Sequence, residues 1–243
     1  MLFILTPCAN AGDPGKSVYT QRCMICHGPG GDGKGRVTAL PRVAKFGKLF
    51  TILPRDFTTG SFKFRTTPTG CLPTDNDLLI TIERGIQKAY MPSNAGLTQK
   101  ELKAVVEYIK TFSSAWQDKP NETVCKPIIV KIPSYVGTHE SIAKGEDLWK
   151  RKKCWECHGQ DGRGDGPKAD DLRDNGDNPI LAYDFTSCVS KATFSPEKAY
   201  LAYTTGLNGT GMPSYQDTLN EHERWHLVSY TMKLMGKLRS IGK

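Results

Sequence analysis

Two short segments of this chain carry the same reactive residues at the same spacing, Cys23-Met24-Ile25-Cys26-His27 and Cys154-Trp155-Glu156-Cys157-His158. With 8 Cys and 5 His in 243 residues, chance would place only about 0.005 copies of Cys-x-x-Cys-His. Two thiols separated by two residues can each add across a vinyl group of a haem, and the adjacent imidazole then lies under the iron. Each unit therefore reads as the attachment site of one covalent haem. A zinc site would need four Cys or His ligands in paired sets, and a redox dithiol would need a strand-helix context with no obligatory His. Neither describes two copies that share the His.

The surroundings of the two units repeat as well. Gly28, Gly31, Gly33 and Gly35 follow the first His at the offsets at which Gly159, Gly162, Gly164 and Gly166 follow the second. Asp56-Phe57-Thr58 is matched by Asp184-Phe185-Thr186, and Met91-Pro92-Ser93 by Met212-Pro213-Ser214. A capping pair, Thr98 with Glu101 and Asn220 with Glu223, precedes apolar residues at helical spacing in each copy. Shorter helical stretches carrying Val18-Tyr19 and Leu148-Trp149 come before the haem units, and further helices are expected to start near Thr74 and at Ser195-Pro196. Between the copies, residues 113–141 lose the pattern and contain Pro120, Pro127, Pro133 and Gly137. That segment reads as a linker, with Ile128-Ile129-Val130 extended across the surface between domains.

Composition sets the outer limits. A chain of 243 residues with 38% hydrophobic and 24% charged side chains has room for two domains of about 120 residues each. No apolar run approaches the roughly 18 residues of a transmembrane segment. Residues 1–11 read as a short export leader ending at Ala9-x-Ala11, although it lacks a basic residue after Met1. Domain 1 then spans 12–112 and domain 2 spans 142–243. The net charge of +8 arises from basic residues interspersed with 25 acidic ones, which argues against a nucleic-acid partner.

These residues resemble the class I c-type cytochromes, in which an N-terminal helix, a Cys-x-x-Cys-His turn, a distal methionine loop and a C-terminal helix enclose one haem. The resemblance implies an all-α fold of two tandem domains, each a few helices around one covalent haem, and hence two haem c groups. It makes His27 and His158 the proximal ligands and Met91 and Met212 the distal ones, with Cys23, Cys26, Cys154 and Cys157 as attachment points. Met24, Met232 and Met235 are poorer distal candidates, and His139 is assigned to the linker. His222 and His226 lie one turn apart on the last helix, and His226 is the reserve ligand should Met212 fail. Arg55 and Arg65 are candidate partners of haem propionates, with Tyr183 standing where Arg55 would align in the second copy.

Attachment of this kind implies export to the bacterial periplasm. In that oxidising compartment Cys71, Cys125 and Cys188 allow one disulfide in any of three pairings, of which Cys71–Cys125 would tie the linker to the first domain. The expected function is single-electron transfer between protein redox partners. Lys150-Arg151-Lys152-Lys153 and the cations Lys34, Arg36, Arg42, Lys45 and Lys48 would steer an acidic partner. The alternatives are a dihaem peroxidase-type enzyme, or a haem subunit of a larger oxidoreductase complex, a membrane-associated complex included.

Overall fold

The computed structural model describes residues 12–37, 40–43, 49–117, 125–187 and 194–237. The expected leader, Cys188, and the side chains of Arg42, Lys45 and Lys48 lie outside what is described. The described chain is helical apart from one short antiparallel hairpin, β1 (Leu40–Val43) with β2 (Leu49–Ile52), in which Leu40 pairs with Ile52 and Val43 with Leu49.

The first half holds α1 (Pro14–Arg22), the single turn α2 (Met24–His27), α3 (Asp75–Arg84) and α4 (Gln99–Lys110). The second holds α5 (His139–Arg151), the single turn α6 (Trp155–His158), α7 (Pro196–Thr205) and α8 (Glu221–Leu234). Local chemistry sets where these helices begin. The Asp13 carboxylate accepts from the Gly15 and Lys16 amides while Pro14 takes the first turn. Reciprocal capping boxes start α3 (Thr74 with Asp77), α4 (Thr98 with Glu101) and α8 (Asn220 with Glu223). Thr138 caps α5 by accepting from the Ser141 amide at 3.2 Å. His139 is therefore the first helical residue and not part of the linker.

In each half the first helix crosses the last, α1 on α4 and α5 on α8. A glycine sits at each crossing. A Cβ on Gly15 would run into the Ala104 carbonyl and Tyr108, and one on Gly145 into the His226 carbonyl and Tyr230. Close approach of the two backbones thus requires glycine at both places. Each crossing covers its own core. Leu102, Val105 and Val106 close the first, and Trp149, Leu227 and Val228 the second, all at most 1% exposed. Side chains of this kind each contribute about 1.5–3 kcal/mol by leaving water. The duplication is not exact: α1 runs directly into Cys23, whereas Lys152 and Lys153 intervene between α5 and Cys154, and Lys153 is left-handed at φ 56°.

The segment after the first domain forms neither helix nor strand from 125 to 133. It is pinned at one end by the Cys71–Cys125 disulfide, and the Ile128 amide donates to the Thr66 carbonyl at 2.8 Å. Ile128, Val130 and Tyr135 then pack on the second core, so one strap touches both domains. Among the described residues no helix is long and apolar enough to cross a membrane.

Because the disulfide closes a loop with a sequence separation of 54, Cys71→Ser is expected to destabilise the first domain by about 2–4 kcal/mol. Calorimetry of the oxidised wild type and the variant checks this. Coincident melting temperatures would show that the strap is held by packing alone.

Candidate functional site

Each Cys-x-x-Cys-His unit is a single backbone-closed turn. The Cys23 carbonyl accepts from the Cys26 and His27 amides at 3.1 and 2.9 Å, and the Cys154 carbonyl from Cys157 and His158 at 3.3 and 3.0 Å. The glycine-rich segment then folds back on the turn. Gly33 and Gly35 donate to the His27 and Cys26 carbonyls, and Gly164 and Gly166 to those of His158 and Cys157, all between 2.8 and 3.2 Å. Thiols and imidazole are thereby held in one rigid unit on each domain.

The Asp-Phe-Thr repeats are the support behind the imidazoles. Asp56 Oδ1 accepts from the Thr58 amide and hydroxyl at 2.8 and 2.6 Å, and Asp184 Oδ1 from Thr186 at 2.9 and 2.6 Å. This is an Asx turn in both copies. The phenylalanine amide in the turn reaches the glycine loop, Phe57 to Gly31 at 2.7 Å and Phe185 to Gly162 at 2.8 Å. Its ring lies against the histidine, with centroids 4.4 Å apart for His27–Phe57 and 5.2 Å for His158–Phe185. The residue before the Asp supplies the decisive contact. His27 Nδ1 lies 3.1 Å from the Arg55 carbonyl oxygen and His158 Nδ1 3.1 Å from that of Tyr183. A carbonyl can only accept, so Nδ1 carries the proton and Nε2 keeps its lone pair for a metal. Burial pushes both imidazoles below their ordinary pKa, partly opposed by the carbonyl bond, which keeps them neutral as a ligand must be.

The four cysteines of the two units are partly buried and form no disulfide, and burial pushes the Cys23 and Cys154 thiols up to about 11. Cys23 and Met91 pack against the first core, Cys154 and Met212 against the second.

The two methionine loops are also built alike. The Ile86 amide donates to the Met91 carbonyl at 2.9 Å and the Leu207 amide to the Met212 carbonyl at 3.1 Å. Ser93 Oγ donates to the Glu83 carbonyl and Ser214 Oγ to that of Thr204, both at 2.7 Å. Gly85 and Gly206 end α3 and α7 at φ 68°, ψ −177° and φ 64°, ψ −174°, a region essentially closed to other residues. A Cβ at either would strike the loop backbone beside the methionine.

Cys154, Cys157, His158 and Met212 line one cavity of about 1580 Å³, larger than the roughly 300–1,000 Å³ of an ordinary small-molecule site. Arg55, Lys63 and Arg65 of the first domain line it too, so the second site is closed by both domains. A soft thioether, a neutral imidazole and two thiols converging on a large, mostly apolar space fit a covalently held iron macrocycle.

The remaining candidates fall in different places. The Arg55 side chain reaches the second domain, where a Cβ on Gly209 would lie 3.2 Å from its Nη1. Arg65 is 4% exposed, and its guanidinium donates to the Pro68, Phe62 and Thr205 carbonyls at 3.4, 3.4 and 2.7 Å. These bonds use three of its five N–H donors, and Arg65 also lines the cavity. His226 does not line the cavity. Its Nδ1 is 2.8 Å from Ser141 Oγ and its ring packs on Tyr135, while His222 Nδ1 is 2.9 Å from Tyr135 Oη. His226 is therefore no reserve ligand, and among the described residues no group of three or more His, Cys, Asp or Glu could hold a metal ion. Within the Lys150–Lys153 cluster Lys150 pairs with Glu146 and Arg151 with Asp147, while Lys153 approaches Glu156, and Glu146 and Glu156 are shared with Lys233 and Lys168.

Sequence reasoning passed over Lys63, a partly buried cavity cation pushed down to about 8 by burial and by Arg55, with Asp174 opposing. It also passed over the Arg55 and Tyr183 carbonyls, for which the position before each Asp-Phe-Thr was an available signal.

Helical domains with this turn, this imidazole support and this methionine loop define the c-type cytochromes. Residues 10–109 match the family described as cytochrome c oxidase, cbb3-type, subunit III, and residues 142–234 match cytochrome c. The chain is 38% identical to a chain of the solved Kuenenia stuttgartiensis reducing HAO-like protein complex, with a TM-score of 0.78, and the likeness covers 91% of this chain and 96% of that one. A comparison with curated proteins returned no match. The chain belongs to the c-type cytochromes, as two cytochrome c domains in tandem, and such domains carry covalent haem c.

Gly85→Ala and Gly206→Ala are each expected to cost about 1–3 kcal/mol and to displace one methionine loop. Absorption spectra of the two holoproteins check this. A thioether-to-iron charge-transfer band of full intensity in both would show that the loops do not depend on these glycines.

Proposed function

We propose that this protein carries single electrons between protein redox partners through two covalent haems, ligated by His27 with Met91 and by His158 with Met212. The observation that carries this reading is the duplication of one closed arrangement. In both halves a backbone carbonyl holds the imidazole at Nδ1, and a stapled loop packs its methionine against the same core as the first cysteine of the unit. Haem bound there supplies a one-electron iron couple. The residues supply rigidity: turn, Asx support and methionine loop are each held by backbone bonds, so little has to move when the charge on the site changes. A neutral thioether donor favours the ferrous state and raises the potential.

The compartment follows from the same chemistry. A Cys71–Cys125 disulfide beside thiols reserved for haem suits an oxidising space such as the periplasm. The likeness to a chain of a reducing HAO-like complex favours a second, compatible reading in which the protein works as the haem subunit of a larger assembly. An acidic partner fits the net charge of +8, a field to which the Lys150–Lys153 cluster contributes.

Met91→Ala and Met212→Ala are each expected to abolish the charge-transfer band of one haem and to lower one potential by on the order of 100 mV. Unchanged spectra and potentials in both variants would refute the ligand assignment. Native mass measurement of the purified assembly separates a free carrier from a bound subunit. Raising ionic strength is expected to slow reduction of an acidic partner several-fold as screening shortens, and a salt-independent rate would remove the steering.

A further inference from the structure

The two halves differ most where the helix before the methionine loop ends. α3 ends on its own cation, Arg84, whereas α7 has no basic residue in its last turn. The last carbonyls of a helix are unsatisfied and carry the negative end of its dipole. At α7 the missing cation comes from the other domain: Arg65 Nη2 donates to the Thr205 carbonyl at 2.7 Å, and Thr69 Oγ1 donates to the same oxygen at 2.9 Å. Thr205 is the final residue of α7 and stands directly before Gly206, the start of the loop that carries Met212.

Arg65 is an expensive residue to place there. It is buried, burial pulls its pKa down, and among the described residues no carboxylate lies within ion-pairing distance. Asp77, the nearest acid acting on it, is already occupied by the Thr66 amide and hydroxyl and the Thr74 amide, at 3.0, 3.1 and 2.8 Å. Those bonds fix the segment from which Arg65 reaches out. A second first-domain cation lies near the same loop: a Cβ on Gly209 would be 3.2 Å from Arg55 Nη1. The loop is in turn joined to the rest of its site, since the Gly209 carbonyl accepts from the Asn175 amide at 3.1 Å and Thr210 Oγ1 from the Met212 amide at 3.2 Å.

We infer that the first domain acts as a clamp on the methionine loop of the second, with Arg65 and Thr69 as positioning residues for Met212, so that the second haem's axial bond and potential are set across the domain boundary. The helix before the first haem's loop instead carries a basic residue, Arg84, in its own last turn. This rests on Met212 being the distal ligand, as proposed above.

The full-length holoprotein tests it through Arg65→Lys, Thr69→Val and the double variant. Arg65→Lys keeps the charge and loses the fork, while Thr69→Val removes one hydrogen bond and no charge, so a purely electrostatic role is separated from a positional one. In the double variant one of the two reduction equilibria is expected to fall about tenfold, about 59 mV for one electron. It should be the same one that Met212→Ala shifts, with the Met91 site unchanged. Cyanide should bind the ferric protein about tenfold faster at that site alone. Thr69→Val, the mildest change, should move the same site in the same direction by a smaller factor. No shift in any variant, or equal shifts at both haems, overturns the clamp. If Met212→Ala itself leaves the charge-transfer band intact, the ligand reading fails and the clamp with it. If Met212→Ala removes the band and the Arg65 and Thr69 variants match wild type, only the clamp fails.

Discussion

One hydrogen bond organises each half of this protein, from the Nδ1–H of a buried histidine to a backbone carbonyl, Arg55 for His27 and Tyr183 for His158. A metal-binding imidazole must be neutral, must expose one chosen nitrogen and must not rotate. Burial alone would secure only the first condition. The carbonyl secures the other two, and because it belongs to the backbone it is indifferent to the side chain attached. That is why Arg in one copy and Tyr in the other perform the same service, and why the Asx turns of Asp56 and Asp184 recur: they hold the carbonyl and the adjacent phenylalanine where the imidazole needs them.

From that bond the architecture extends outward in layers. The glycine loops lock the histidine turn, and the crossing of first and last helices builds the floor on which cysteine and methionine rest. The crossing needs Gly15 and Gly145, since any Cβ there meets the backbone of the facing helix. Capping boxes on α3, α4 and α8 fix where those helices start, which in turn fixes which residues face the core.

The halves are alike in plan and unequal in dependence. The cavity of the second site is lined by Arg55, Lys63 and Arg65 from the first domain, and the linker is tied to both domains. Charge burial follows the same asymmetry. Lys63 and Arg65 both carry the cost of leaving water at the domain boundary, where Arg65 meets the carbonyl at the end of α7. On the outer surface charge is handled conventionally, in i,i+4 pairs such as Lys150–Glu146 and Arg151–Asp147, each contributing a few tenths of a kcal/mol.

By itself the sequence determined everything whose chemistry is local: the two Cys-x-x-Cys-His turns, the repeated glycines, the caps and the helical periodicity, while the all-α tandem plan came from the family resemblance that these residues carry. Those features are set by neighbours within a few residues, so spacing reveals them. Other readings went astray because they depended on where distant segments meet. His139 was assigned to the linker although Thr138 caps it into α5, and His226 was held in reserve although Ser141 and Tyr135 occupy it. The choice of Cys125 for Cys71, the carbonyls behind the imidazoles and the joint closure of the second cavity were likewise decided only in three dimensions. A backbone carbonyl leaves no trace in a residue's identity, and a contact between domains has no fixed spacing, so only the packing of one half on the other could supply them.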